Sequence, residues 1–265
     1  NSDSFYVDKK ISSLPRDARK TYVNNWFGIR GKIKFWMYLK KKIFALVPAR
    51  GGSKGIKLKN LKKINNKTLI EITSNFIDKC KIFDDKILSS DNKKIIKNAK
   101  KLKFRIIKRS KSLSGDRVSD FSVIKNTIQK IGTKFDYVIY LQPTSPIRQR
   151  LHLIKTIQKV IKLNLDGAWS VSRVDIKYHP LKLLVVKNNK LKLFDKKGEK
   201  IIARQMLNQI YYRNGVFYIF NIKKLLKSKS IYLNNILPSI TNYKVANIDT
   251  LKDKKIAKKL LINNE

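Results

Sequence analysis

Cysteine is almost missing from this 265-residue chain, where Cys80 stands alone. No disulfide can close within one chain, a cysteine metal cluster is excluded, and the composition fits a reducing cytoplasm, the expected location. Histidine is nearly as scarce. His152 and His179 are the only two, neither has an acid or a cysteine at metal-ligand spacing, and each reads as structural. No apolar run approaches the length of a membrane span. The first residues do not follow the order of cations, apolar block and small residues that marks a secretory signal. Acidic residues are few, 18 against 61 lysines and arginines, for a formal net charge of +43.

Such a charge invites a nucleic-acid reading, and a basic nucleic-acid-binding protein is the rival class. The lysines, however, are spread along the chain among isoleucine and asparagine and do not cluster beside aromatic platforms. No specific nucleic-acid partner is therefore expected. What the charge does imply is general attraction for anions such as nucleotides and acidic sugars.

The length suffices for a full core. Residues 1–36 differ from the rest, polar at first and then aromatic and basic through Trp26, Phe27, Phe35 and Trp36. They read as an N-terminal extension, with the functional domain covering 37–265 and starting near Met37; a basic aromatic membrane-surface anchor is the other reading of the extension.

The chain organises around residues 43–60, IFALVPARGGSKGIKLKN. Ile43 to Val47 are apolar and branched, as in a strand buried on both faces of a parallel sheet. Arg50, Gly51, Gly52, Ser53, Lys54 and Gly55 follow at once. Glycines let backbone N–H groups approach an anion, and Arg50 and Lys54 add two positive charges, so the stretch can cradle a polyphosphate. It is not a Walker A loop, because Lys54 lies between Ser53 and Gly55.

Strand and helix patterns then alternate. Leu69, Ile72, Phe76 and Cys80 predict a helix, 86–90 a strand ending at Asp91, Ile95, Ile96, Ala99 and Leu102 a helix, and 104–107 a strand. After the polar loop 108–120, a helix carries Phe121, Ile124, Ile128 and Ile131; residues 137–141 form a buried strand, and Leu151, Ile154, Ile157 and Ile161 predict another helix before strand 167–172. This alternation argues for a doubly wound, mostly parallel α/β sheet with ligands beyond the strand ends, where Arg50, Asp91 and Arg109 fall. A β-rich insertion follows, with a hairpin turn at Asn188-Asn189. Asn214-Gly215 predicts a turn opening strand 216–220, and 244–250 predicts a strand with Asp249 as a helix N-cap.

ARGGSKG with LKN, LQPTSPIR at 141–148, HPLK at 179–182, RQ at 204–205 and RNGVFYI at 213–219 occur in one continuous order. Together they resemble the sugar-activating cytidylyltransferases that make CMP-sialic acid and related CMP-nonulosonates, including the pseudaminic and legionaminic acid enzymes. The 3-deoxy-octulosonate branch resembles this chain less, since its first loop lacks GGSKG. The resemblance implies a Rossmann-like nucleotidyltransferase fold with helices on both faces of the sheet and a dimerisation arm at about 173–212. It implies a homodimer, CTP and an acidic sugar as substrates, and a product that enters surface glycans such as lipopolysaccharide. It implies catalytic roles for Arg50, Lys54, Gln142 and Asp249, with Ser53, Asn60 and Arg109 on the nucleotide and Lys182, Arg204, Arg213 and Asn214 toward the sugar. Mg²⁺ is the implied cofactor, on Asp249, Asn247 and Asp253. Asn247 departs from the pattern, since a carboxylate is usual there, and the metal is expected to bind more weakly.

Overall fold

The computed structural model describes residues 41–53 and 55–262. The proposed extension 1–36, the boundary at Met37 and the side chain of Lys54 lie outside the described residues. From Lys42 onward the described chain forms one compact unit.

β1 (Ile43–Pro48) can lie inside the sheet, covered on both faces, because its residues are apolar on both faces. Ile43, Ala45 and Val47 enter one core; Phe44 and Leu46 enter the other. Its first residues are tied down by carboxylates: Lys42 N–H donates to Asp136 Oδ2 at 2.8 Å and Ile43 N–H to Asp84 Oδ2 at 2.7 Å. A small hairpin, β2 (Lys63–Ile64) and β3 (Lys67–Thr68), precedes α1 (Leu69–Cys80). Then come β4 (Asp85–Ser90), α2 (Lys93–Lys101), β5 (Arg105–Lys108), α3 (Asp120–Ile131), β6 (Tyr137–Tyr140), α4 (Arg150–Lys162) and β7 (Gly167–Arg173). The hairpin β8 (Leu184–Lys187) and β9 (Lys190–Leu193) follows, then β10 (Tyr211–Asn221), α5 (Ile222–Ser228), β11 (Ile236–Ile240) and α6 (Leu251–Ile262).

Seven strands make the main sheet in the order β11-β7-β10-β6-β1-β4-β5. β1 pairs in parallel with β4 and β6, β4 with β5, and β11 with β7; β10 alone runs antiparallel, between β6 and β7. Helices α1, α2 and α4 pack on one face through Ile70, Ile77, Ile95, Ala99, Leu153 and Ile157. On the other face α3 and α5 pack through Ile124, Ile128, Ile131, Ile222 and Leu225. The expected α/β architecture is therefore the observed one, and β1 is its switch point, flanked by strands reached in opposite directions.

Four local expectations need correction. On α1, Leu69 and Cys80 are buried as expected, but Ile72 and Phe76 are only partly buried and Ile70, Thr73, Ser74 and Ile77 complete the buried face; Thr73 can be buried because its hydroxyl donates to Leu69 O at 2.9 Å. On α4, Leu151 is 60% exposed and Leu153, Ile157 and Val160 make the core contact. Asn214-Gly215 does not open a strand: β10 already starts at Tyr211, and the register shifts between Arg213 and Tyr218 around Gly215 at φ +73°. That is a bulge, where glycine's left-handed backbone suits the bend. Finally, 244–250 pairs with no strand, although Ile248 N–H donates to Thr144 O at 2.8 Å.

The insertion is the predicted hairpin. Asn188 and Asn189 both take positive φ, 52° and 57°, as a two-residue turn demands. Leu184, Val186, Leu191, Phe194 and Ile202 leave large apolar side chains exposed.

Candidate active site

A cavity of about 600 Å³ opens beyond the carboxyl ends of β1 and β6 and takes in Arg109, just past the end of β5. The glycine loop after β1 forms one wall. Gly51 N–H donates to Asp91 Oδ1 at 2.9 Å, so the carboxylate at the end of β4 holds the loop. A Cβ on Gly55 would lie 2.4 Å from the carbonyl oxygen of Asp249, which makes glycine obligatory where the loop touches the segment before α6.

Two ion pairs join segments far apart in sequence. Arg50 Nη2 meets Asp116 Oδ1 at 2.7 Å, and Lys59 Nζ meets Asp249 Oδ1 at 2.6 Å. Asn60 is buried and donates from Nδ2 to Arg50 O at 3.2 Å, fixing the backbone that carries the first of these cations.

Arg109 is only 7% exposed. Nη2 donates to Ser89 O at 2.7 Å and Nε to Ser89 Oγ at 3.2 Å, which aims the fork from the end of the sheet. Burial pulls its pKa down, while Tyr140, Asp91 and Asp120 act in the opposite direction. Tyr140, on the cavity wall, donates its hydroxyl to Asp120 Oδ1 at 2.7 Å. Burial first, and then the Asp120 charge, hold that phenol well above its usual range, so it remains a donor.

The structure thus brings Arg50, Ser53, Asn60, Arg109, Gln142 and Asp249 onto one cavity. Lys182, Arg204, Arg213 and Asn214 do not line it. Lys182 ends a short turn, Pro180–Lys182; Arg204 starts another, Arg204–Met206. Arg213 lies over the rings of Trp169 and Tyr232, 5.1 and 5.5 Å from their centroids. Asn214 is fully engaged inside the bulge: Nδ2 donates to Ser172 Oγ and Thr241 Oγ1, and Oδ1 accepts from Ser170 Oγ and Val216 N–H.

The three residues expected around Mg²⁺ are each occupied by protein partners. Asn247 Oδ1 accepts from Ser145 Oγ at 2.7 Å. Asp253 Oδ2 accepts from Asp249 N–H, Thr250 N–H and Thr250 Oγ1, while Asp253 N–H donates to Thr250 Oγ1. This is a capping box at the start of α6, and Thr250, not Asp249, is the N-cap. Among the described residues no three His, Cys, Asp or Glu side chains converge as a metal site. Of the expected trio, Asp249 alone lines the cavity. One carboxylate is enough for Mg²⁺ when phosphate oxygens and water supply the other ligands.

Lys59, Asp120, Tyr140 and Thr250 also line the cavity and were not foreseen. Lys59 adjoins Asn60, and Asp120 closes the polar loop before α3, but their partners lie 190 and 20 residues away and no local pattern reveals them.

The sequence profile of a family described as "Cytidylyltransferase" matches residues 44–261, which contain this whole cavity. The chain belongs to that family. As a cytidylyltransferase it is a nucleotidyltransferase enzyme, as its motifs implied. Pseudaminic acid cytidylyltransferase of Campylobacter jejuni subsp. jejuni serotype O:2 is 30% identical over 235 residues, 84% of this chain and 98% of that protein. N-acylneuraminate cytidylyltransferase of Escherichia coli O18:K1:H7 is 26% identical over 196 residues, 73% of this chain and 46% of that protein. The solved structure of CMP:2-keto-3-deoxy-manno-octonic acid synthetase complexed with CTP has a TM-score of 0.65 at 14% identity, covering 84% of this cytidylyltransferase and all of that chain. That likeness is one of fold.

Proposed function

We propose that this cytidylyltransferase transfers CMP from CTP to a nonulosonic acid, giving the CMP-sugar and pyrophosphate for surface glycan synthesis. The observation that carries the reading is the joint placement of Arg50, Asn60, Arg109, Gln142 and Asp249 on one cavity in a chain of this family. A pseudaminic-type acid is the favoured sugar, because the relative named for it aligns over 98% of its length.

In the reaction the sugar's anomeric hydroxyl attacks the α-phosphorus in line, a new O–P bond forms, and the bond to the β-phosphate oxygen breaks. Arg50, Lys54 and the loop amides would neutralise the triphosphate, with Ser53 beside them; Arg109 and Asn60 would hold the cytidine; Gln142 would face the sugar. Lys182, Arg204, Arg213 and Asn214 do not line this cavity and would join the sugar site by rearrangement or from a second subunit. Mg²⁺ would be held by Asp249 and the nucleotide's phosphates, and would supply charge stabilisation at the transferring phosphoryl group. The exposed apolar residues of the 173–212 insertion support a homodimer, and the cytoplasm, where CTP is made, is the expected place of action.

The test is incubation with CTP, Mg²⁺ and a panel of pseudaminic, legionaminic and sialic acids, read as pyrophosphate release. Turnover with at least one acid is expected. Release with none of them overturns the reading.

A further inference from the structure

The loop that carries Gln142 ends in an arginine folded back beneath it. Arg148 Nε donates to Val216 O at 2.8 Å, Nη2 donates to Gln142 O, and Nη1 donates to Thr73 Oγ1 at 3.4 Å. The guanidinium lies over the Phe76 ring, 5.7 Å from its centroid. None of these acceptors carries a formal charge. Burial accordingly pushes the Arg148 pKa down to about 10. A desolvated cation matched only by carbonyl and hydroxyl dipoles is a poor way to gain stability. Its distinctive contribution is geometric: a planar fork can hold several fixed acceptors at once, whereas a lysine ammonium on a flexible stem cannot reproduce that pattern.

The acceptors identify what is being held. Gln142 is on the cavity wall, and Val216 directly follows the glycine of the β10 bulge. The same joint is closed from the other side. A Cβ on Gly215 would come within 2.7 Å of both Gln142 Oε1 and Ser145 Oγ, so the glutamine amide rests directly on the bulge. Ser145 then donates to Asn247 Oδ1 at 2.7 Å, tying in the segment before α6.

We infer that Arg148 is a positioning residue that clamps Gln142 against the Gly215 bulge and so fixes the sugar side of the cavity. The inference rests on Gln142 facing the sugar. The nucleotide side, built on Arg50, Asn60 and Arg109, uses separate anchors at Asp116, the Arg50 carbonyl and Ser89, and does not depend on the clamp.

Three variants test it: Arg148→Lys keeps the charge without the fork, Arg148→Met removes both, and Gly215→Ala presses on Gln142 from the opposite side. CTP affinity by calorimetry, the acid-sugar KM, kcat and backbone hydrogen exchange are measured for each. CTP Kd is expected to stay within about threefold of wild type, while the sugar KM rises ~10-fold or more, the scale of a substrate-positioning group moved by a fraction of an ångström. Exchange protection should fall at 142–148 and 214–217 and persist at 43–53. An unchanged sugar KM overturns the proposal, as does parallel loss of CTP and sugar affinity, or unchanged protection at 142–148. If wild type turns over none of the acids, the functional reading fails, and the exchange pattern alone still decides whether the clamp exists. Arg148→Lys and Gly215→Ala keep the test open should Arg148→Met not fold.

Discussion

Arg50 is held at 2.7 Å by Asp116 from the opposite loop, so its guanidinium is already oriented before any anion arrives. A preorganised cation of this kind acts most strongly where charge builds up during transfer. Arg50→Ala should lower turnover by ~10²-fold or more, measured as pyrophosphate release from CTP. Near-normal turnover would remove Arg50 from the chemistry. Asn247 tests the other side of the site. Its Oδ1 already accepts from Ser145, and it brings no charge to the cavity rim. Asn247→Asp should therefore reduce the Mg²⁺ concentration needed for half-maximal activity, and an unchanged requirement would show that this position has no electrostatic influence on the metal. The placement of Arg50, Arg109 and Gln142 on one cavity was legible because motif and strand end coincide, and that of Asn60, in the turn Lys59–Leu61, from the motif alone. Asp116 matched the same family loop as Arg109, but its pairing with Arg50 and the Tyr140–Asp120 pair were not legible, because each joins partners across the fold.

The start of α6 is a compact example at the scale of elements. Thr250 and Asp253 satisfy each other's backbone N–H groups, and the segment before the helix carries Asp249 into the cavity. Thr250→Ala should lower stability by about 1 kcal/mol in denaturant unfolding, the usual scale for a lost N-cap. The Thr250 amide and hydroxyl, with the Asp249 amide, hold the Asp253 carboxyl below its ordinary range. A depressed native pKa stabilises the fold above the unfolded value, about 3.9, and the benefit disappears as pH falls through the lower native value. The melting difference between wild type and Asp253→Asn should thus be full above about pH 4 and close as the solution is acidified further; a pH-independent difference would contradict the capping role.

Element types were largely readable because buried parallel strands such as IFALV and LSS differ so clearly from the amphipathic runs between them. The failures had specific causes. On α1, Thr73 is buried through a hydroxyl bond to its own helix, which an apolar stripe cannot anticipate. On α4 the buried face runs through Leu153, Thr156, Ile157 and Val160, with Thr156 buried through a hydroxyl bond to its own helix, and Leu151 falls on the opposite face. The β10 bulge was read as a turn because Asn-Gly favours turns, yet here Asn214 spends every hydrogen-bonding group stitching one strand to its neighbours.

Over the whole molecule the dominant feature is charge. A net +43 attracts any polyanion at low salt, so weak association with generic DNA is expected and should vanish as ionic strength rises. The KM for CTP should climb as well, by several-fold between about 0.05 and 0.5 M salt, because long-range attraction is screened while the cavity contacts persist. The insertion bears on assembly. Leu191 and Phe194 are 69% and 62% exposed, apolar surface that a second copy of the chain would cover in the proposed homodimer. If the proposed homodimer forms through the insertion, Leu191→Lys combined with Phe194→Lys should convert it to a monomer in sedimentation velocity, and an unchanged sedimentation coefficient would contradict that contact.

The central claim is that a cytosine nucleotide occupies the cavity beyond β1 and β6, and a crystal structure with CTP bound tests it most directly. The triphosphate should lie along the glycine loop beside Arg50, with the cytidine against Arg109 and Asn60. A cavity left empty at saturating CTP, or a nucleotide seated on another face of the sheet, would contradict the account.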